Sequence, residues 1–262
     1  MIVITGATGN VGKPLVQTLA AAGEEVRAVS RRAGEFRGDL TEPETLKPAL
    51  DGAAAVFLLT SADFLGSGGE LEPVLEVVRA AGVPRVVLLS SLGVGTGHHP
   101  PVLEDAVKES GLSWTILRPG GFHSNALQWA EMVRTRRTIA APFGDVGLPA
   151  IDPADIADVA AAALRGPGHA GKTYELTGPA AISPREQATA IGHAIGEPVC
   201  FVELSRAEAK TAMLEFMPEA VAESTLDLLS APSHRSRDVE RVLGRPGRTF
   251  AEWAAWNAAA FR

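Results

Sequence analysis

The sequence predicts an α/β fold, a doubly wound parallel sheet followed by a small, mainly helical lobe. Two observations carry that expectation. The first twelve residues run from a β-branched apolar stretch through three spaced glycines into an amphipathic helical pattern. Beyond them, short apolar runs alternate with helical patterns, the signature of crossover connections and parallel strands. Length and composition agree: 262 residues supply enough chain for one large core plus a lobe.

The opening stretch is Met1-Ile2-Val3-Ile4-Thr5-Gly6-Ala7-Thr8-Gly9-Asn10-Val11-Gly12. A glycine series after a strand and ahead of a helix is the context a dinucleotide-binding fingerprint requires. Gly6 lets the chain turn off the strand, Gly9 lets backbone approach a pyrophosphate, and Gly12 lets the helix lie close to the strand. Unpaired N–H groups at the helix start then face the phosphates, which places Thr8, Asn10 and Val11 with the glycines as candidate cofactor contacts. The helix carries Val11, Leu15, Val16 and Leu19 inward, tolerates Pro14 in its first turn and stops at Gly23.

The second strand, Glu25 to Ser30, leads into Arg31 and Arg32. A chain selective for NAD(H) places an acidic residue near this point, about 20 residues past the glycines, to hold the ribose 2′-hydroxyl. Ser30, Arg31 and Arg32 instead suit a 2′-phosphate, so NADP(H) is expected over NAD(H). Gly38-Asp39-Leu40 follows a short third strand, and Asp39 is a candidate adenine contact. Thr41-Glu42-Pro43-Glu44 reads as a capped helix start. The fourth strand, Ala54 to Leu59, is apolar throughout, as a strand buried on both faces must be, and delivers Thr60 and Ser61 to the cofactor edge. Leu71, Val74, Leu75 and Val78 mark a helix closed by Gly82 and Pro84. The fifth strand, Arg85 to Ser91, places Ser90 and Ser91 at its mouth. Right-handed crossovers then give the strand order 3-2-1-4-5-6 of a Rossmann-type sheet, with ligands beyond the carboxyl ends of the strands.

The remainder reads as helices with clear start signals. Asp152-Pro153-Ala154-Asp155 opens one that buries Ile156, Val159, Ala160, Ala163 and Leu164, and Thr173 to Leu176 reads as an added strand. Ser183, Ser205 and Thr249 each precede a glutamate by three residues, the capping-box form. The expected division is residues 1–150 for the nucleotide-binding domain and 151–262 for its completion plus the lobe, with a discontinuous boundary. Met213, Leu214, Phe216, Met217, Val221, Leu226 and Leu229 form an apolar stripe of the kind that usually enters a core. Trp129, Trp253 and Trp256 offer flat surfaces for an aromatic substrate, although packing is the commoner use of the last two.

Composition narrows the partners. A net charge of −7 without a basic face argues against nucleic acid. No run of 18 apolar residues exists, so no membrane span is expected, nor a signal peptide. The single cysteine, Cys200, suits a reducing cytoplasm. Adjacent His98 and His99 in a glycine-rich loop lack further ligands at metal spacing, so no metal is expected. No nucleophile elbow or phosphate-binding loop of the kinase type appears.

TGATGNVG, GDL, LLSSLGVG and the segment Ser110 to Asn125 (SGLSWTILRPGGFHSN) together resemble the NmrA-like atypical short-chain dehydrogenase/reductases. That group includes NADP-dependent quinone and triphenylmethane-dye reductases and redox-sensing regulators. The resemblance places Pro119, Gly120 and Phe122 beside the nicotinamide, and it makes the C-terminal lobe a wall of the substrate cleft. It also matches Glu104 to a glutamate that relatives pair with a basic residue four positions earlier, where this chain has Pro100. Lys108 is the surface i,i+4 partner of Glu104.

One departure shapes the chemistry. Ordinary short-chain dehydrogenases protonate their product with a Tyr-x-x-x-Lys pair, whereas the only tyrosine here, Tyr174, lies on a late strand. Reduction of a simple ketone gives a strongly basic alkoxide and needs a general acid, but reduction of a quinone gives a phenolate whose conjugate acid has a pKa of about 10. A conjugated aromatic acceptor therefore fits a site without its tyrosine, with Ser91, His123 and Glu104 as the remaining catalytic candidates. The resemblance extends this to an anthraquinone-type polyketide intermediate, reduced ahead of oxygen-dependent hydroxylation with a partner oxygenase. The competing expectation is an NADP-binding redox sensor that turns nothing over. Either is expected as a monomer or homodimer.

Overall fold

Ile2 to Thr5 are all buried in β1, which is why four consecutive apolar or β-branched residues form one central strand. The computed structural model describes residues 1–31, 35–66, 68–231 and 234–262. Its strands are β1 (Ile2–Thr5), β2 (Val26–Ser30), β3 (Phe36–Arg37), β4 (Ala55–Leu59), β5 (Arg85–Leu89), β6 (Ser113–Pro119), β7 (Thr138–Pro142), β8 (Lys172–Leu176) and β9 (Cys200–Leu204). Seven of them form one parallel sheet in the order β3-β2-β1-β4-β5-β6-β8, which is the expected succession with β8 added outside β6.

The chain divides into two compact units. The first comprises Met1–Pro119, Pro153–Leu176 and Asp238–Arg245; the second comprises Gly120–Asp152, Thr177–Arg237 and Pro246–Arg262. The first crossing falls at Pro119, the last residue of β6, rather than at residue 150, because β7 pairs with β9 and not with the large sheet. The chain returns at Pro153, where the helix Pro153–Arg165 begins, and adds β8 beside β6.

In the first unit, strand order reverses between β1 and β4. There the buried Thr5 hydroxyl donates to the Phe57 carbonyl at 3.0 Å and accepts from the Leu59 amide at 2.9 Å. The helix Gly12–Ala21 buries Leu15 and Leu19, and the helix Glu72–Ala80 buries Val74, Leu75, Val77 and Val78. Gly23, at φ +78°, ends the first of these in a left-handed turn that no other residue type adopts as cheaply. Arg245 clamps the helix Pro153–Arg165 from its side, reaching Asp155 at 2.8 Å and Asp158 at 2.6 Å. Asp158 in turn accepts from Thr18 on the first helix at 3.2 Å.

Two local readings are corrected. Pro43–Leu46 is a short 3-10 turn without a side-chain cap, because Thr45 rather than Thr41 bonds back, donating to the Glu42 carbonyl at 2.6 Å. The run Leu92–Gly95 is a helical turn and not a loop, since the Ser91 hydroxyl caps it by accepting from the Gly93 amide at 3.1 Å.

The second unit holds the two-stranded parallel sheet β7–β9 and a core of Val133, Ile139, Ile191, Phe250, Trp253 and Phe261. Capping boxes start its helices Pro184–Ile195, Arg206–Met213 and Phe250–Trp256, as their sequences require. The apolar stripe is only partly core. Leu226 is fully buried, but Leu214 and Phe216 are exposed in the turn that follows the helix Arg206–Met213, and Val221 is exposed on the helix Glu219–Ser230, which buries Ala222 and Leu226 instead. Trp253 is buried, whereas Trp256 is exposed with the Arg248 guanidinium over its ring. Among the described residues no helix is long and apolar enough to cross a membrane.

Candidate active site

The glycine turn has the geometry its sequence implies. Gly6 sits at φ +63°, Gly9 donates to the Gly6 carbonyl at 3.0 Å, and Lys13 donates to the Gly9 carbonyl at 3.0 Å. A Cβ on Gly12 would overlap the Gly6 carbonyl oxygen and stand 2.8 Å from Ala7 Cα, both backbone atoms that cannot yield. Thr8, Gly9 and Asn10 are exposed at the carboxyl end of β1, while Val11 and Gly12 are buried as the helix begins. A cradle kept open by the absence of side chains, at a helix N-terminus, fits a dinucleotide pyrophosphate.

Along the same edge, Ser30 is buried at the end of β2 and Arg31 is exposed just beyond it. Arg32 lies outside the described residues. Asp39 is committed to its own turn: its Oδ1 accepts from the Thr41 amide at 3.0 Å and its amide donates to Thr45 Oγ1 at 2.9 Å. The Thr41 amide, against the opposing effect of burial, and the nearby Arg31 charge hold its carboxyl below the usual value. Thr60 and Ser61 follow β4 half-exposed, and Ser61 Oγ accepts from the Phe64 amide at 3.2 Å.

At the mouth of β5 the structure brings together residues that the sequence reading kept apart. Glu104 is only 1% exposed. Its carboxylate takes a two-point contact from Arg118, Nε at 2.8 Å and Nη2 at 2.7 Å, and a hydrogen bond from the Ser90 hydroxyl at 2.7 Å. Lys108 stands 3.5 Å away at i,i+4. Burial alone would raise the Glu104 pKa. The Arg118 and Ser90 hydrogen bonds and the two cationic neighbours outweigh it and hold the carboxyl below its usual range. Glu104 is thus a fixed anion, poorly suited to carry protons near neutral pH. Arg118 was missed from sequence because an arginine near a strand end reads as solvent-facing. The signal was its place in LRP, next to a helix that presents a glutamate.

The other candidates fall in separate places. Ser91 Oγ caps the Leu92–Gly95 turn by accepting from the Gly93 amide. His98 and His99 are exposed, with the Thr96 hydroxyl 2.9 Å from His98 Nδ1. Pro119 is buried, paired with Leu176 at the sheet edge. Gly120 and Phe122 open the second unit, where Phe122 bridges to Ile151. His123 is 2% exposed in that unit, its ring edge-on to Phe250 at 5.3 Å and tilted against Trp253 at 6.3 Å. Tyr174 lies 2.9 Å from His169 Nδ1, and burial together with the Asp238 charge pushes its pKa up, the opposite of a catalytic phenol. Among the described residues no group of three or more His, Cys, Asp or Glu side chains is arranged to hold a metal ion.

Comparison with known proteins places this geometry. A family model described as NAD(P)H-binding matches residues 6–167. The chain is 36% identical to a (4-alkanoyl-5-oxo-2,5-dihydrofuran-3-yl)methyl phosphate reductase of Streptomyces griseus subsp. griseus, covering 100% of this chain and 99% of that one. It is also 36% identical to an NAD(P)H azoreductase of Xenophilus azovorans, with the same coverage. Among solved structures, the NADPH-dependent quinone oxidoreductase QOR2 of Escherichia coli, complexed with NADPH, superimposes with a TM-score of 0.82 at 25% identity, covering 98% of this chain and 99% of that one. The chain therefore belongs to the NAD(P)H-binding family, and both of its 36%-identical relatives are reductases.

Proposed function

We propose that this protein reduces quinones or other conjugated acceptors with NADPH. The observation that carries the reading is the state of Tyr174. The only phenol in the chain is engaged by His169 with its pKa raised, and the Glu104 carboxylate, bonded to Ser90 at the end of β5, is held as an anion. A substrate whose reduced form is a stabilised anion needs no dedicated acid from either. The names of the relatives support a conjugated acceptor, since a quinone, an azo group and an alkanoyl-dihydrofuranone all have conjugated double bonds.

When bound, the dinucleotide supplies hydride. The chain's own part is to hold the pyrophosphate at the Gly6–Gly12 turn, to orient the acceptor beyond β5 and β6, and to exclude water. Thr60, Ser61, Ser90, Pro119, Gly120 and Phe122 are assigned to the nicotinamide side, and Ser30, Arg31 and Arg32 to a 2′-phosphate, which makes NADPH the preferred donor. Within this class we place an anthraquinone-type polyketide intermediate, reduced ahead of hydroxylation by a partner oxygenase; the resemblance of LLSSLGVG and LRPGG supports it. The test is NADPH absorbance with naphthoquinones, anthraquinones, azo dyes and simple ketones. Conjugated acceptors are expected to turn over at least a hundredfold faster than ketones. Equal rates with ketones overturn the reading.

A sensor that binds NADP(H) without turnover is the second reading. It is favoured by the internal engagement of both hydroxyls at the mouth of β5, Ser90 with Glu104 and Ser91 with Gly93. Tight NADPH binding with no turnover of any acceptor selects it.

A further inference from the structure

Removing two charges from water is expensive, and apolar side chains of similar volume would fasten the helix Val102–Glu109 to β6 at least as firmly as the Glu104–Arg118 pair does. What the pair gives that apolar packing does not is direction. Arg118 offers a rigid fork that fits a carboxylate in one plane, which leaves Glu104 Oε1 aimed to receive the Ser90 hydroxyl. Ser90 is fixed a second time by its amide, which donates to the Leu117 carbonyl at 2.7 Å. The far side of the guanidinium is used as well. A Cβ on Gly95 would stand 3.1 Å from Arg118 Nη1 and 3.0 Å from Glu175 Oε1. The Ser91-capped turn therefore lies directly on Arg118, and the guanidinium feels both Glu104 and Glu175.

The geometry points to Arg118 and Glu104 as a positioning pair for the reactive end of the cofactor site, acting through Ser90. The pair fixes the Ser90 hydroxyl and the Leu92–Gly95 turn at the carboxyl end of β5, the edge that receives the second half of a dinucleotide in a doubly wound sheet. Because its proton is given to Glu104, Ser90 Oγ presents only lone pairs to a ligand, a fixed acceptor for an amide or hydroxyl donor. This assignment rests on the reductase reading above.

Glu104→Gln tests it, since one carbonyl oxygen must then serve donors that two carboxylate oxygens served. NADPH binding and the emission of the bound nicotinamide are read by fluorescence, and kcat by quinone-dependent NADPH oxidation. The variant is expected to keep its NADPH Kd within twofold, to shift the bound emission, and to lose at least tenfold in kcat. Ser90→Ala added to it costs less than a further twofold, because the amide has already released the hydroxyl. Arg118→Lys, with charge but no fork, behaves like Glu104→Gln and serves in its place if that variant does not fold. Wild-type kcat and emission in the pair variants, with only a lower Tm, overturn the proposal, as do Ser90→Ala and Glu104→Gln losses that multiply. Absence of turnover in the unmodified protein overturns the reductase reading alone, and the emission comparison still decides the role of the pair.

Discussion

His169 Nδ1 and the Tyr174 hydroxyl lie 2.9 Å apart, with their rings edge to face at 5.8 Å. The tyrosine of this chain is therefore a structural group on β8. Tyr174→Phe is expected to leave quinone reduction within twofold of the unmodified rate and to cost about 1 kcal/mol in denaturant unfolding, one hydrogen bond's worth. A hundredfold loss of kcat would return the phenol to the chemistry.

Gly12→Ala places a methyl group against the Gly6 carbonyl and Ala7 Cα. Neither backbone atom can move without opening the turn, so a loss of about 1–3 kcal/mol is expected from overpacking. NADPH should then give little or none of the thermal shift it gives the unmodified protein.

The pair Arg31→Ala, Arg32→Ala removes cationic contacts for a 2′-phosphate and nothing a 2′-hydroxyl needs. A charge-assisted bond is worth about 1.5–3 kcal/mol, so the KM for NADPH is expected to rise at least tenfold. The KM for NADH should change less than twofold. Equal losses for both cofactors would show that the arginines do not read the phosphate.

Arg245→Ala removes the cation that pairs with Asp155, which is fully buried, and with Asp158. Complete burial of such a pair would make the loss about 3–5 kcal/mol; Arg245 is itself partly exposed, so about 2–3 kcal/mol is expected from chemical denaturation. Arg245→Lys should recover part of it.

Glu104 sets a pH dependence with a definite sign. Its folded pKa lies below the ordinary 4.5, because Arg118, Ser90 and Lys108 together outweigh burial. The group therefore stabilises the fold fully above its unfolded pKa, and that contribution fades as pH falls through the lower, folded value. Unfolding midpoints of the unmodified protein should drop more steeply below about pH 4.5 than those of Glu104→Gln.

The large sheet was legible because its code is local. Ala55 to Leu59 and Arg85 to Leu89 are buried strands written as apolar runs, and Gly6, Gly23 and Gly82 fall where the backbone turns left-handed. The three capping boxes were readable for the same reason. β7 and β9 were not, since each is short and half-exposed and its partner lies some 60 residues away in sequence. The glycines of Leu92–Gly95 suggested a loop, yet Gly95 packs closely on the Arg118 guanidinium, a contact made across the fold. Phe216 and Trp256 misled because apolar type reports a preference for burial and not its fulfilment.

The chain leaves and re-enters each unit more than once, and residues 238–245 belong to the first unit although they follow most of the second. Asp238 accepts the Glu175 amide of β8 at 3.0 Å, and Arg245 holds the helix Pro153–Arg165, which packs beside the helix Gly12–Ala21. Neither half of the gene therefore encodes a self-sufficient piece. A stop codon anywhere before Asp238 would strip the nucleotide-binding sheet of its last clasp as well as shortening the lobe, so trimming from the carboxyl end is expected to abolish coenzyme capture and not merely to widen substrate choice.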